Sequence, residues 1–184
     1  EATAASRGFK WPWEQRDEQK AAAEAARRLQ VELACAGVLR VVLHSGHGLK
    51  AMDSNGSSDP YVKLALGKER RKSKTVSKSL APQWDESFEF RGALRELLAT
   101  PLELECVDAG LRAGDARRSA TVDLSPLLVA REARLTAPLT SQGSLALGAV
   151  WEADAAALAV ATEANELLLA GLAANKSGNP AEVR

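Results

Sequence analysis

The segment Gly48-Leu49-Lys50-Ala51-Met52-Asp53-Ser54-Asn55-Gly56-Ser57-Ser58-Asp59-Pro60-Tyr61-Val62-Lys63 is the most informative stretch of this 184-residue chain. Two carboxylates, Asp53 and Asp59, stand six residues apart on either side of an Asn-Gly pair. A flexible turn between them lets both side chains converge, as the oxygen ligands of a hard cation must. An ordinary solvated loop, with aspartate capping a turn, is the alternative interpretation.

Short β-type segments separated by turn residues extend from this loop in both directions. We predict eight strands, at residues 38–44, 60–66, 72–76, 87–90, 102–107, 120–124, 135–139 and 144–151. Few helical segments separate them, apart from a short helical turn expected at residues 94–98. Regularly spaced short strands of this kind indicate an antiparallel β-sandwich.

Helix-forming composition flanks the strand region on both sides. Residues 14–34 are rich in Ala, Glu, Gln, Lys and Arg, and residues 152–174 are rich in Ala and Leu. Gly178 and Pro180 are suited to end the second helix. The sequence therefore predicts an N-terminal extension at 1–36, a β domain at 37–151 and a C-terminal helix with its tail at 152–184.

Three segments together resemble the C2 domain family, as found in conventional protein kinase C and synaptotagmin. They are the opening segment with its Ser58-Asp59-Pro60-Tyr61-Val62 motif, the stretch Ser79-Leu80-Ala81-Pro82-Gln83-Trp84-Asp85-Glu86-Ser87-Phe88-Glu89-Phe90, and Leu102-Glu103-Leu104-Glu105-Cys106-Val107-Asp108. This resemblance implies an all-β, eight-stranded antiparallel Greek-key sandwich without catalytic activity, here with an added helix at each end.

The resemblance also implies a calcium site built from Asp53, Asp59 and Asp108. Family members that bind Ca²⁺ well place further aspartates two and eight positions beyond Asp108, where this chain has Gly110 and Ala116. Asp115 stands one position early and is the candidate substitute. Calcium takes about 6–8 oxygen ligands, so we expect weak Ca²⁺ binding or none.

A second candidate site is basic. Six Lys or Arg residues lie between Lys68 and Lys78 with a single acid, Glu69. If residues 60–66 pair with a strand at 72–76, alternation places Tyr61, Lys63, Lys72 and Lys74 on one face. This set resembles the lysine-rich cluster that binds phosphatidylinositol bisphosphate in related C2 domains, although Val107 replaces a tryptophan of those domains. A solvated strand face is the alternative interpretation.

Composition limits the remaining functions. Acidic and basic residues number 24 each, so attraction to an acidic partner must come from a local patch. One aromatic residue beside the basic strand gives little support for nucleic-acid binding, which we do not expect. No phosphate-binding or nucleophile-elbow motif favours an enzyme. Cys35 and Cys106 lack metal-site spacing and fit reduced thiols of an intracellular protein.

We therefore predict a peripheral membrane module that docks on anionic phospholipid, above all phosphoinositide. The alternative is a structural or protein-interaction subunit of a larger assembly, with a protein partner bound through the terminal helices. No apolar run approaches the roughly 20 residues that a bilayer span needs. The first residue is Glu1 and not Met, so the compartment is left open and an organelle is among the candidates.

Overall fold

The computed structural model describes residues 11–51, 56–110 and 118–176, without the side chains of 169 and 171–176. Three α-helices lie in these ranges: α1 at Pro12–Ala34, α2 at Leu94–Leu98 and α3 at Ala155–Lys176. The strands are β1 at Ala36–His47, β2 at Pro60–Leu66, β3 at Glu69–Lys72, β4 at Gln83–Ala93, β5 at Leu102–Asp108, β6 at Arg118–Val122, β7 at Glu132–Pro138 and β8 at Ser144–Ala153.

The strands form two four-stranded antiparallel sheets packed face to face. One sheet has the order β4-β1-β8-β7 and the other β3-β2-β5-β6. The chain crosses between sheets from β1 to β2, returns from β3 to β4 and pairs β4 with β1, which is the Greek-key connection. The predicted eight-stranded antiparallel sandwich with a helix at each end is confirmed.

The core fills the space between the sheets, where alternate residues of each strand point inward. Strand β2 shows the alternation clearly, because Val62, Leu64 and Leu66 are buried while Lys63 is exposed. Phe90 of β4 and Trp151 of β8 are the largest fully buried apolar side chains at this interface. A Cβ at Gly37 would lie 2.5 Å from both the Trp151 ring and the carbonyl oxygen of Glu152, so the close approach requires glycine there.

The predicted strand at residues 72–76 is wrong, because β3 ends at Lys72. Gly67, with φ of +55°, opens a two-residue turn that starts β3 earlier, at Glu69. Beyond Lys72 the pairing becomes irregular: the Ser73 amide donates to the Val62 carbonyl at 2.9 Å, but the Val62 amide donates to the Ser73 hydroxyl, also at 2.9 Å. The next residue then turns towards β4.

The terminal helices leave from one end of the sandwich. Gly37, near the start of β1, pairs with Ala153 at the end of β8, so α1 ends and α3 begins at the same end of the sandwich. None of the residues of α1 is buried. Leu167 and Leu168 of α3 are 68% and 67% exposed, so both helices present side chains that the sandwich does not cover.

Candidate functional site

Strands β2 and β3 bring three of the four predicted lipid-binding residues together on the outer surface of their sheet. Lys63 and Lys72 are directly opposite each other across the β2–β3 pair. The Lys72 ammonium lies 4.0 Å from the centre of the Tyr61 ring, and the Lys63 ammonium lies 6.0 Å from it. One ring and two cations therefore share one patch, and the Tyr61 ring face holds Lys72 by a cation–π contact.

Two further charged groups modify this patch. Arg70 is opposite Ala65 and falls on the same outer surface as Lys72, two residues away on β3. On the other side of β2, the Lys63 ammonium forms an ion pair with Glu105 of β5 at 3.2 Å. We call Tyr61, Lys63, Arg70 and Lys72 the basic face; it adjoins a groove of about 530 Å³ that Lys63 and Arg70 help to line. The sequence pattern alone does not place Arg70 on this face, because the register of β3 is set by the turn at Gly67.

Lys74, the fourth predicted residue, lies outside any strand. Its amide donates to the Glu86 carboxylate at 2.8 Å, and its carbonyl accepts from the Trp84 indole at 3.0 Å. Both partners belong to β4, so the backbone of Lys74 is attached to the other sheet. The expectation that strand alternation aligns Lys74 with Lys72 is therefore wrong, although Lys74 is exposed near the same edge.

Asp108, at the end of β5, is a buried carboxylate that accepts three hydrogen bonds. Its Oδ2 accepts from the Ser58 hydroxyl and from the Asp59 amide at 2.8 Å, and its Oδ1 accepts from the Gly110 amide at 2.9 Å. Burial alone would raise the pKa of Asp108, but these donors and the charge of Arg118 outweigh burial and lower that pKa. The carboxylate is therefore ionised and occupied by protein donors.

Asp59 is also engaged in loop structure. Its Oδ1 accepts from the Lys78 amide at 2.6 Å, and its carbonyl accepts from the Ala109 amide at 2.9 Å. Asp53 and Asp115, the other two predicted calcium ligands, lie outside the described residues. Within the described ranges, no group of three or more His, Cys, Asp or Glu side chains is arranged to hold a metal ion. Calcium needs about 6–8 oxygens, more than the carboxylates of Asp59 and Asp108 supply on their own.

Arg118 lies at this same end of the sandwich, at the start of β6. It is opposite Cys106 on β5, and its side chain is 1% exposed. The Nη1 atom donates to the Lys50 carbonyl at 3.2 Å, while Nε and Nη2 are buried without a hydrogen-bond partner among the residues that the structure describes. The inward alternation of Ala120 and Val122, extended back by two residues, is the sequence signal that would have found this buried arginine.

The fold and these two sites define a class: an antiparallel sandwich with a cationic strand face and acidic loops at one end. The family model for the C2 domain matches residues 37–139, more than half of the chain. This chain belongs to the C2 domain family.

Individual relatives agree with this assignment. The chain is 45% identical over 96 residues to mouse Multiple C2 and transmembrane domain-containing protein 1, covering 50% of this chain and 10% of that protein. The C2A domain of plant extended synaptotagmin 1 shares the fold with a TM-score of 0.53 at 21% identity, covering 64% of this chain and 95% of that one. The C2A and C2B domains of extended synaptotagmin 2, solved calcium bound, match with a TM-score of 0.53 at 26% identity, over 64% of this chain and 46% of that one.

The first of these relatives carries transmembrane domains in its name, and this chain spans only about a tenth of its length. Among the described helices of this chain, none has the length and apolar character needed to cross a bilayer.

Proposed function

We propose that this C2 domain docks on anionic phospholipid surfaces through the basic face together with Lys74, with phosphoinositides as the preferred lipids. The observation that carries the proposal is the placement of Lys63 directly across from Lys72, beside the Tyr61 ring. Like charges directly opposite each other on a sheet are destabilising. An anion bound between them would turn that repulsion into attraction, and a polyphosphorylated headgroup supplies such an anion.

The energetics favour binding that depends on salt. Each basic side chain near an anionic membrane contributes about 1 kcal/mol, and the attraction falls off within a Debye length of about 8 Å. Glu105 opposes this attraction because its carboxylate already pairs with Lys63. Lys72 and Arg70 have no acidic partner among the described ion pairs, so we expect them to contribute most of the attraction.

Calcium is proposed to contribute weakly or not at all to this docking. The calcium-bound extended synaptotagmin 2 domains show that a related fold holds the ion. In this chain, the carboxylates of Asp59 and Asp108 receive amide and hydroxyl donors. A carboxylate offers about four lone-pair sites, and three donors already use most of those on Asp108, so a calcium ion would compete with them for this ligand.

Vesicle sedimentation tests the basic face. The variant Arg70→Ala/Lys72→Ala should bind vesicles of phosphatidylcholine with phosphatidylinositol bisphosphate about 30-fold more weakly in EGTA, because two contributions of about 1 kcal/mol are removed. Its dependence on salt should also become flatter. Lys20→Ala/Arg27→Ala, which removes two exposed cations from α1, is the matched control and should bind as the wild type does. Equal loss in both variants, or in neither, would refute the basic face.

A second function, docking on a protein partner through the terminal helices, is supported by a separate observation. Trp11 and Trp13 stack with ring centres 5.0 Å apart and are 51% and 56% exposed, and α3 exposes Val160, Leu167 and Leu168. Large apolar side chains left in water at this density favour an interface. The domain would then attach to a membrane peripherally, inside the cell, while its terminal helices bind a protein partner within a larger assembly.

A further inference from the structure

Only four polar or charged residues are buried among those that the structure describes, and two of them are charged. Asp108 is 3% exposed and Arg118 is 1% exposed. An arginine stays protonated in proteins, and an isolated buried charge is strongly unfavourable. The two buried charges therefore require each other, unless a charge from outside balances one of them.

The strand register brings the two side chains to the same end of the core. Arg118 is opposite Cys106, and Asp108 is two residues further along β5 with its side chain on the same inner side. Such diagonal neighbours lie roughly 7–8 Å apart between Cα atoms, within reach of a long side chain. The Nη1 atom of Arg118 donates to the Lys50 carbonyl at 3.2 Å. The guanidinium therefore contacts the backbone that follows β1.

The hydrogen bonds of Arg118 are poor for a buried guanidinium. Nη1 has one hydrogen-bond partner, the Lys50 carbonyl, while Nε and Nη2 have no hydrogen-bond partner among the described residues. Each buried donor without a partner is destabilising, and a neutral side chain of similar size would avoid that penalty. Hydrogen bonding thus does not explain an arginine at this position, whereas its positive charge beside Asp108 does.

We propose that Arg118 is a resident cation at the loop end of the sandwich, where it neutralises Asp108 and takes the charge-balancing role that calcium has in calcium-bound relatives. Asp108 remains ionised with all its donors in place, and the loops that its oxygens hold, through Ser58, Asp59 and Gly110, stay joined without a metal ion. The consequence for membranes, docking without calcium, rests on the proposed function. The charge pairing of Arg118 with Asp108 does not depend on the proposed function.

The test needs no lipid, so its result is independent of the basic face. Urea unfolding of the full chain is compared for the wild type, Arg118→Gln, Asp108→Asn and the double variant, in EGTA and in millimolar CaCl2. Each single variant leaves one buried charge unpaired and should lower the folded-to-unfolded ratio roughly 10²- to 10³-fold. In the double variant the folded-to-unfolded ratio should fall much less than the product of the two single-variant fold-changes, because neither buried charge remains.

Arg118→Lys separates charge from shape. It retains the positive charge but loses the planar guanidinium, so it should be clearly more stable than Arg118→Gln. If Arg118→Gln does not fold, folding of the double variant still supports the pairing. Three results would each overturn the proposal. The stability losses of Arg118→Gln and Asp108→Asn could add up in the double variant, or Arg118→Lys could be no more stable than Arg118→Gln. The urea midpoint of the wild type could also rise with CaCl2.

Discussion

Removing α3 from the chain tests whether this helix stabilises the sandwich. Truncation after Asp154 deletes a helix whose described side chains are at most half-buried, and Leu158 is the one large apolar side chain among those partly covered. Full burial of a leucine contributes about 1.5–3 kcal/mol, so partial burial contributes about 1 kcal/mol. The cost of ordering a helix that is marginal on its own offsets part of this gain. The net loss should be about 1 kcal/mol, a shift in Tm of roughly 2–5 °C.

Differential scanning calorimetry of the full and truncated chains measures that shift. Phe90→Ala is the reference for real core damage, because Phe90 is 0% exposed, and it should cost about 3–5 kcal/mol. Size-exclusion chromatography should show the truncated domain folded and monomeric. A truncated chain that melts as low as Phe90→Ala would refute the reasoning, because α3 would then belong to the folding unit and would not be a surface for a partner.

Two more predictions concern the core. Gly37→Ala should lower the free energy of unfolding by about 1–3 kcal/mol in urea, since the new Cβ meets the Trp151 ring and the Glu152 carbonyl at 2.5 Å. Gly92→Ala, where the new Cβ would have Leu97 side-chain atoms as its nearest neighbours at 3.5 Å, is the control for crowding. Burial raises the pKa of Cys106 from 9.0 to about 11, with Arg118 lowering it and Asp108 raising it. The folded state then favours the neutral thiol. The stability that Cys106 contributes is therefore complete below pH 9 and is lost as pH rises towards 11. Relative to the wild type, Cys106→Ala should flatten that alkaline decline by at most about 3 kcal/mol; parallel stability curves would contradict it.

The sequence predicts most of the fold because hydrophobic alternation is strong along the core strands. The bounds of β2 and α2 agree with the expected 60–66 and 94–98. Strand β3 was misplaced because Glu69-Arg70-Arg71-Lys72 contains no apolar residue to set a register, and only the Gly67 turn fixes it. Alternation predicts that Lys63 and Lys72 share a face, whereas their direct pairing depends on the strand register. The attachment of Lys74 to β4 depends on the Trp84 and Glu86 side chains, which no local pattern reveals.

Arg118 shows a different limit of sequence reasoning. A charged residue at the edge of a β segment is ordinarily expected to be solvent-exposed, and for Arg118 this expectation conflicts with the alternation that puts it on the same side as Ala120 and Val122. Only the pairing of β6 with β5 places Arg118 inside, because register is a property of two strands and not of one.

The direction of the strands separates the proposed membrane site from the proposed partner site. Along the β1–β8 pair, Gly37 and Ala153 mark the end where α1 and α3 attach, whereas His47 and Ser144 mark the opposite end. The loop end, with Asp59 and Asp108, follows β1 and so lies at that opposite end. The basic face lies on the outer surface of the other sheet, whereas α1 and α3 connect to β1 and β8 of the first sheet. A membrane bound at the basic face and a protein bound at the helices would thus contact different parts of one rigid sandwich, so the two proposed functions need not compete.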